Sequence, residues 1–259
     1  MMSSTTNIQG IGAVSQTSLR AYLRRFELIK GMAYAARGLV TDLRTLHGIL
    51  RRNTKIREYL KTNSVRKLQL GASDNLLSGW LNTDVFLNSP SMVYLDATKR
   101  FPLDDNTFDY IISEHMIEHV DYQGGEAMLR ECFRVLKPGG RVRIATPDLD
   151  VVVGLHFGEK TDAQRQYIDW AIAKFMPTVQ GNKDVFVINN FFRSWGHQFL
   201  YDKDTLNRLL FKCGFRQIAS YKPGSSDDPV LRNLETHGKS IGSEAMNLFE
   251  TIVMEGCKP

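Results

Sequence analysis

A glycine and two aspartates stand where a parallel α/β sheet would bind a nucleoside. A short apolar run at residues 68–70 stops at Gly71, and small residues follow it. Asp84 closes the next short run, and Asp96 closes the one after that. Glycine lets the backbone come close to a ligand, and a carboxylate at the end of the second strand can hold ribose hydroxyls. We therefore predict a nucleoside-binding site here, with simple turns at two strand ends as the alternative.

The loop departs from the dinucleotide-binding pattern G-x-G-x-x-G. Only Gly71 is a glycine, while Ser73 and Asn75 stand where further glycines would lie. Asp84 is also nearer to the loop than the ~20 residues typical of a dinucleotide site. An oxidoreductase that binds a dinucleotide is therefore disfavoured.

Several side chains could accept a proton during catalysis. His197 is the first candidate, because it lies in an aromatic stretch after the fifth predicted strand and a histidine titrates near neutral pH. Glu114 and His115, which follow the fourth predicted strand, are second candidates together with Asp148. The alternative for His197 is a histidine that is bonded to the backbone of a packed loop.

Residues 115–119, His-Met-Ile-Glu-His, match the inverted zincin pattern H-x-x-E-H. On a helix, His115 and His119 would share a face and could bind zinc. The segment follows a strand, however, and the sequence offers no evident third ligand. We predict no metal, and we expect Glu118 and His119 to cap or pack a helix.

The elements that must position these residues alternate between strands and helices. An amphipathic helix is predicted from about residue 124 to 136, and 137–140, Lys-Pro-Gly-Gly, should end it. Further helices are expected at about 161–175 and 204–212. Seven strands are predicted at 67–70, 81–85, 92–96, 108–113, 141–146, 216–221 and 249–254. This order predicts an α/β fold, a doubly wound Rossmann-like sheet that is mostly parallel with helices on both faces.

The chain divides by pattern into residues 1–64, a helical extension or lid, and residues 65–259, the catalytic domain. Within the domain, residues 148–200 form an insertion that should face the substrate. Residues 1–17 are polar and predicted to be irregular, and Gly31 and Gly38 are expected to break the helical pattern that follows. Residues 1–67 carry 13 Lys and Arg against 3 acids, about +10. This basic surface could contact an anionic membrane, nucleic acid or no partner at all.

Composition narrows the class of protein. The chain has 259 residues, of which 42% are hydrophobic and 24% charged, as in an ordinary globular protein. Neither a signal peptide nor a membrane-spanning run is evident. Three scattered cysteines fit idle thiols in a reducing cytoplasm rather than a disulfide framework. We therefore expect a cytoplasmic protein, and the sequence does not give its oligomeric state.

Four segments resemble a known family. Residues 68–75 (LQLGASDN), Asp84, residues 95–120 and residues 129–149 are similar to class I S-adenosylmethionine-dependent methyltransferases of the type 11 group. The phrases FPLDDNTFD and RVLKPGG are the most specific parts. Members with this form of the first loop occur among enzymes of polysaccharide and cell-envelope biosynthesis.

The resemblance implies S-adenosylmethionine as cofactor and a role for each matching residue. The methionine part would contact the backbone of the first loop, Asp84 would bind the ribose, Asp96 and Ala97 would bind the adenine, and Ser113 and Glu114 would line the pocket near the sulfonium. The cofactor-binding residues are thus predicted to be Gly71, Ala72, Ser73, Asp84, Asp96, Ala97 and Ser113. Some related ubiquinone-pathway enzymes bind a divalent metal near the positions of His115, Glu118 and His119.

Three functions remain to be distinguished. The first is O-methylation of a small molecule such as a sugar or glycan precursor. The second is methylation of nucleic acid or protein by way of the basic N-terminal region. Methylation of nucleic acid is disfavoured because Ser113-Glu114-His115-Met116 stands where a base-flipping motif would be expected. The third is a relative that binds the cofactor without turnover.

Overall fold

The computed structural model describes residues 16–181 and 183–259. The prediction of an irregular segment at residues 1–17 lies outside this range for residues 1–15, while Gln16 and Thr17 begin a helix. The strands are β1 (Lys67–Leu70), β2 (Leu81–Asp84), β3 (Val93–Tyr94), β4 (Phe108–Glu114), β5 (Leu136–Pro147), β6 (Arg216–Tyr221) and β7 (Thr251–Cys257). The helices are α1 (Gln16–Thr62), α2 (Tyr122–Val135), α3 (Leu149–Gly154), α4 (Asp162–Phe175), α5 (Asp184–Arg193), α6 (Lys203–Lys212), α7 (His237–Ile241) and α8 (Glu244–Glu250). Short 3₁₀ turns lie at Ile117–His119 and Pro229–Leu231.

The strands form one seven-stranded sheet in the order β3-β2-β1-β4-β5-β7-β6. Neighbours from β3 to β5 are parallel, whereas β7 is antiparallel to both β5 and β6. The order reverses between β1 and β4, and ligands of open α/β sheets bind at such a switch point, beyond the carboxyl ends of the strands. The prediction of a mostly parallel, Rossmann-like sheet is confirmed.

The core lies between the sheet and the helices packed on it. Leu68 and Leu70 of β1 and Ile111 of β4 are fully buried because the central strands are covered on both faces. Helix α2 places a stripe of apolar residues in the same core, as its amphipathic pattern predicts: Met128, Leu129, Cys132 and Val135. Its N-cap, Asp121, accepts a hydrogen bond from the backbone N–H of Gly124 at 2.7 Å. The scaffold below the switch point is therefore well anchored.

Two predicted boundaries were wrong. Helix α1 continues through Gly31 and Gly38, because both are exposed and each costs a helix only about 1 kcal/mol. Residues 137–140 belong to β5 instead of forming a loop after α2. Gly139 donates its N–H to the carbonyl of Lys258, and Lys258 donates back to Gly140, so the chain terminus extends the strand pairing.

The chain divides into two compact units, Met1–Leu46 and His47–Pro259. The division falls within α1, so its residues 47–62 belong to the unit that contains the sheet. Among the described residues, no helix is both long and apolar enough to cross a membrane.

Candidate active site

A cavity of about 690 Å³ lies beyond the carboxyl ends of β1, β4 and β5. One wall is the loop at residues 71–75, which follows β1. The floor comes from residues 114–119, after β4. The opposite wall consists of aromatic and polar side chains from two later segments: Phe175, Phe191, Trp195, His197, Thr236, His237, Lys239, Ser240, Ile241 and Glu250. A single cavity thus joins the predicted cofactor loop to the predicted base.

The loop wall is held in an unusual backbone conformation. Gly71 has a φ of +67°, and a Cβ at this position would lie 2.5 Å from Cγ of Met116. Both the left-handed φ and the close packing therefore require glycine here. Ser73 also has a positive φ, 46°, and its backbone N–H donates to Oδ2 of Asp84 at 2.9 Å. Asp84 consequently fixes the loop as well as standing at the end of β2.

The other predicted cofactor residues lie at the same edge of the sheet but not on the cavity wall as this conformation defines it. Asp84 Oδ1 accepts from the N–H of Phe86 at 2.9 Å. Asp96 Oδ1 accepts from both the N–H and the hydroxyl of Thr98. Ala97 is buried, and Ser113 is fully buried, its hydroxyl lacking a partner among the described residues. Their role in binding a cofactor stays a prediction.

Glu114 connects two walls of the cavity. Its Oε2 accepts from Nδ2 of Asn75 at 3.0 Å, on the loop after β1. Its Oε1 accepts from the backbone N–H groups of Thr236 and His237, at 2.8 and 2.7 Å. Because both oxygens are engaged by donors, this arrangement suits a residue that positions the walls better than one that accepts a proton.

His115 forms a buried ion pair with Glu118. Its Nδ1 lies 3.3 Å from Oε1 of Glu118, whose Oε2 accepts from the Thr146 hydroxyl at 2.9 Å. Its Nε2 lies 3.1 Å from the hydroxyl of Thr251, which donates its own proton to Asn247 and so accepts from the ring. Both ring nitrogens therefore face oxygen atoms that can accept a proton, an arrangement that favours an imidazolium.

The electrostatics of the pair agree with this assignment. Burial disfavours charge on His115, but the Glu118 carboxylate outweighs it, so the pKa of His115 is raised. Burial likewise opposes ionisation of Glu118, yet its contact with His115 lowers the pKa of Glu118. His115, predicted as a second candidate for the base, has no nitrogen free to accept a proton in this arrangement.

His237 and Glu250, on the opposite wall, lie next to the pair of His115 and Glu118. The ring of His237 stacks on His115 with centroids 3.7 Å apart, and its Nε2 lies 3.2 Å from Oε1 of Glu250. Tyr167 donates its hydroxyl to Oε2 of Glu250, and burial raises the pKa of Tyr167. The cavity floor therefore alternates imidazole rings with buried carboxylates.

His197 has the geometry expected of a base. Its Nδ1 donates to the carbonyl of Phe191 at 2.8 Å, so the neutral ring carries its unshared electron pair on Nε2. Burial lowers the pKa of His197, against the opposing charge of Glu118. The ring is on the cavity wall and is flanked by Trp195 at 5.6 Å. The backbone bond proposed as the alternative role is thus present, and it leaves the other nitrogen available.

Two groups of side chains bring potential metal ligands within 4.8 Å of one another: His115, His237 and Glu250, and Glu118, His119 and His197. In the first group the rings of His115 and His237 stack on each other, and both nitrogens of His115 already face Glu118 and Thr251. In the second group Glu118 already pairs with His115 and Thr146. The prediction that no metal binds remains open to a direct test.

Sequence reasoning missed four residues of the site. Asn75, Glu118, His237 and Glu250 take part in its hydrogen bonds and ion pairs, although Glu118 was expected only to cap or pack a helix. A signal existed for Glu118, because the spacing of His115 and Glu118 allows an i, i+3 pair. None existed for His237 and Glu250, which reach the cavity only through the fold. Asp148 is the N-cap of α3, where it accepts from the N–H of Asp150, and it is not on the cavity wall.

Comparison with known proteins points to one family. A family model described as a methyltransferase domain, of type 11, matches residues 72–144. A demethylmenaquinone methyltransferase from Streptomyces griseus subsp. griseus is 30% identical over 126 residues, which are 46% of this chain and 47% of that protein. The chain thus spans about half the length of this curated relative.

Solved structures with low sequence identity show similarity over most of the chain. A methyltransferase from Archaeoglobus fulgidus is 16% identical, with a TM-score of 0.44 over 82% of this chain and 93% of that one. A complex between the Haloferax volcanii Trm112 methyltransferase activator and a methyltransferase gives 14% identity and a TM-score of 0.44, over 83% and 93%. The match at residues 72–144, which contain most of the loop after β1 and the strands β2, β3 and β4, is the specific finding. The chain therefore contains a methyltransferase domain of type 11, matched at residues 72–144.

Proposed function

We propose that this chain methylates a hydroxyl group of a small molecule, such as a sugar or glycan precursor, in the cytoplasm. The observation that carries the proposal is the single cavity that joins the loop at residues 71–75 to the free Nε2 of His197. S-adenosylmethionine, when bound, supplies a methyl group that is already activated by the sulfonium. The protein then needs to position the acceptor, exclude water and receive the hydroxyl proton.

The residues at the sheet edge fit the cofactor. The positive φ of Gly71 and Ser73 holds the loop on the cavity wall, where its backbone can approach a ligand. Asp84 is only partly buried, and each carboxylate oxygen accepts one backbone N–H, which leaves lone pairs for ribose hydroxyls. Oδ2 of Asp96 has no hydrogen-bond partner in the described part of the chain and could accept from an amino group.

The opposite wall suits an uncharged acceptor with both apolar and hydroxyl-bearing faces. Phe175, Phe191 and Trp195 form an aromatic surface, and His197 stands beside it. Small-molecule sites commonly combine such apolar walls with a few placed polar groups. A sugar ring fits this surface because it presents C–H groups on its faces and hydroxyls at its edge.

His197 would act as the general base at Nε2. The Phe191 carbonyl fixes the tautomer, and the lowered pKa keeps the ring neutral at physiological pH. The buried imidazolium of His115 would in turn hold a positive charge at the floor, where it can orient an acceptor oxygen. Glu114 would hold the two walls in their relative positions.

Cofactor binding can be tested by calorimetry with S-adenosylhomocysteine. We expect Asp84→Asn to lose about 1.5–3 kcal/mol of binding free energy, because it removes the charge that accepts the ribose hydroxyls. Asp104→Ala, an exposed aspartate outside the cavity, is the matched control and should bind normally. Absence of binding by the wild-type protein would contradict the assigned function.

The acceptor can be sought with isotope-labelled S-adenosylmethionine and mass spectrometry of a metabolite extract. A labelled ether on a small hydroxylated molecule is the expected product. Labelled RNA or protein would support the second function, and cofactor binding without any product would support the non-catalytic alternative. The curated relative is named for demethylmenaquinone, so a naphthoquinol belongs in the same panel. Transfer to its ring carbon would contradict the hydroxyl assignment.

A further inference from the structure

Helix α1 carries a row of exposed apolar residues at alternating three- and four-residue steps. Leu39, Leu43, Leu46 and Leu50 are between 54% and 74% exposed, and Met32, seven residues before Leu39, is 65% exposed. We call this row, residues 32, 39, 43, 46 and 50, the heptad seam.

The spacing identifies the kind of contact that the heptad seam makes. An apolar pair every seven residues repeats with a period of 3.5, which is the pattern of a coiled coil rather than of a helix lying on a sheet. In heptad letters, residues 43 and 50 are a positions and residues 32, 39 and 46 are d positions. The seam ends with Leu50, because Asn53 and Arg57 occupy the next d and a positions.

Within residues 47–62, the side of the helix opposite the seam packs against the rest of the unit that contains the sheet. Gly48 packs so closely on Leu87 that a Cβ would lie 2.1 Å from Cδ1 of that leucine. Lys55 donates to the carbonyls of Pro90 and Met92 at 2.6 and 2.7 Å. Gly48 and Lys55 are both f positions, which lie nearly opposite the a and d positions of a helix with about 3.6 residues per turn. The seam at Leu50 therefore faces away from the sheet.

We propose that the heptad seam pairs with the seam of a second copy of this chain, in a parallel coiled coil. A parallel pair brings each g position next to the e position five residues later in the partner helix. Here these positions hold Asp42 and His47, an acid opposite a base. Arg44 and Arg51 both occupy b positions, away from the seam, so pairing does not bring these like charges together.

The pattern favours a second copy over a membrane surface. A helix that lies in an anionic membrane interface carries basic residues along its polar face. The seam instead repeats in step with a heptad from residue 32 to residue 50, and the acidic Asp42 stands at a flanking g position, where a membrane of anionic lipid would repel it. This inference does not depend on the proposed methyl transfer.

The test uses the full chain in sedimentation equilibrium and light scattering. We expect the wild-type protein to have twice the monomer mass and Leu43→Glu/Leu50→Glu to have half the wild-type value. Thr45→Glu, a c position on the same helix, adds a negative charge off the seam and should leave the mass unchanged. Circular dichroism of each variant checks that the fold is retained.

The direction of the pair is tested with Leu46→Cys under mild oxidation. A d position faces its own counterpart only in a parallel, in-register pair, so a covalent dimer should form that the wild-type protein does not form. A monomeric wild-type protein, or a dimer that persists in Leu43→Glu/Leu50→Glu, would overturn the proposal. A monomer that binds vesicles of phosphatidylglycerol and phosphatidylcholine through Leu43 and Leu50 would replace it with the membrane alternative. Failure of Leu46→Cys to cross-link would refute the parallel register.

Discussion

Replacing His197 tests the assignment of the base most directly. A positioned base contributes about 10²–10⁴-fold to turnover, which is about 2.7–5.4 kcal/mol at 1.36 kcal/mol for each factor of ten. We expect His197→Ala to lose this factor in kcat, since the Phe191 carbonyl occupies Nδ1 and leaves Nε2 as the accepting nitrogen of a ring that lines the cavity. His197→Gln keeps a polar side chain but cannot accept the proton, so it should be nearly as slow. Cofactor affinity should change by less than about threefold, because the cofactor loop is on the other wall.

The pH dependence of kcat separates a base from a residue that merely supports the loop. Burial lowers the pKa of His197, so the neutral form should persist below the ordinary histidine value of about 6.5. The rate should rise with pH along a limb whose midpoint lies below that value, and the limb should vanish in both variants. His156→Ala is the matched control, because His156 is exposed and outside the cavity. Unchanged turnover in His197→Ala, or a limb that survives in it, would refute the reasoning.

Three further outcomes follow from the geometry of the floor and the loop. Gly71→Ala should lower the free energy of unfolding by about 2–5 kcal/mol in urea titrations, because it places a side chain at a left-handed φ and in a clash with Met116. Gly154→Ala is the control and should not lower it, because a Cβ at Gly154 would have no atom within 4 Å. The raised pKa of His115 adds folding stability that is present at low pH and is lost as pH rises through that pKa. In denaturant titrations, the wild-type protein should therefore be more stable than His115→Gln at pH 6, and this difference should shrink toward alkaline pH. A difference that stays constant with pH would contradict the buried imidazolium. Dialysis against a chelator should leave kcat unchanged, because Glu118 is already paired; activity lost and then restored by Zn²⁺ or Mn²⁺ would show that a metal is required.

The sheet was predictable because its signals are local. Strands β1 and β6 lie at the predicted residues, and α2 begins within two residues of its predicted start. Each depends on apolar spacing over a few residues, which the sequence displays directly. The last strand was placed too early, because Phe249 and Glu250 end α8 before β7 begins at Thr251.

The floor of the cavity was not predictable because its partners are distant in sequence. His115 meets His237 and Thr251 only because the segment after β6 returns over the end of β4. Glu114 accepts from residues 122 and 123 positions later in the chain. Its position after a strand suggested catalysis, whereas its contacts indicate that it joins two walls. The residue types therefore indicated which side chains could act in catalysis, but only the folded structure showed which groups they contact.

Several residues with strained backbone conformations lie at the cavity. Of the six non-glycine residues with positive φ in the described part of the chain, Ser73, His115 and Trp195 line the cavity. Such conformations cost about 1–3 kcal/mol each and persist only where the surroundings hold them. Asp84 accepts from the Ser73 N–H, Glu118 and Thr251 hold the His115 ring, and the rings of Phe175 and Phe191 contact Trp195. The strained residues therefore lie in the loop, the floor and the aromatic wall of the cavity. This is expected of a site in which some folding stability is lost in order to hold side chains in fixed positions.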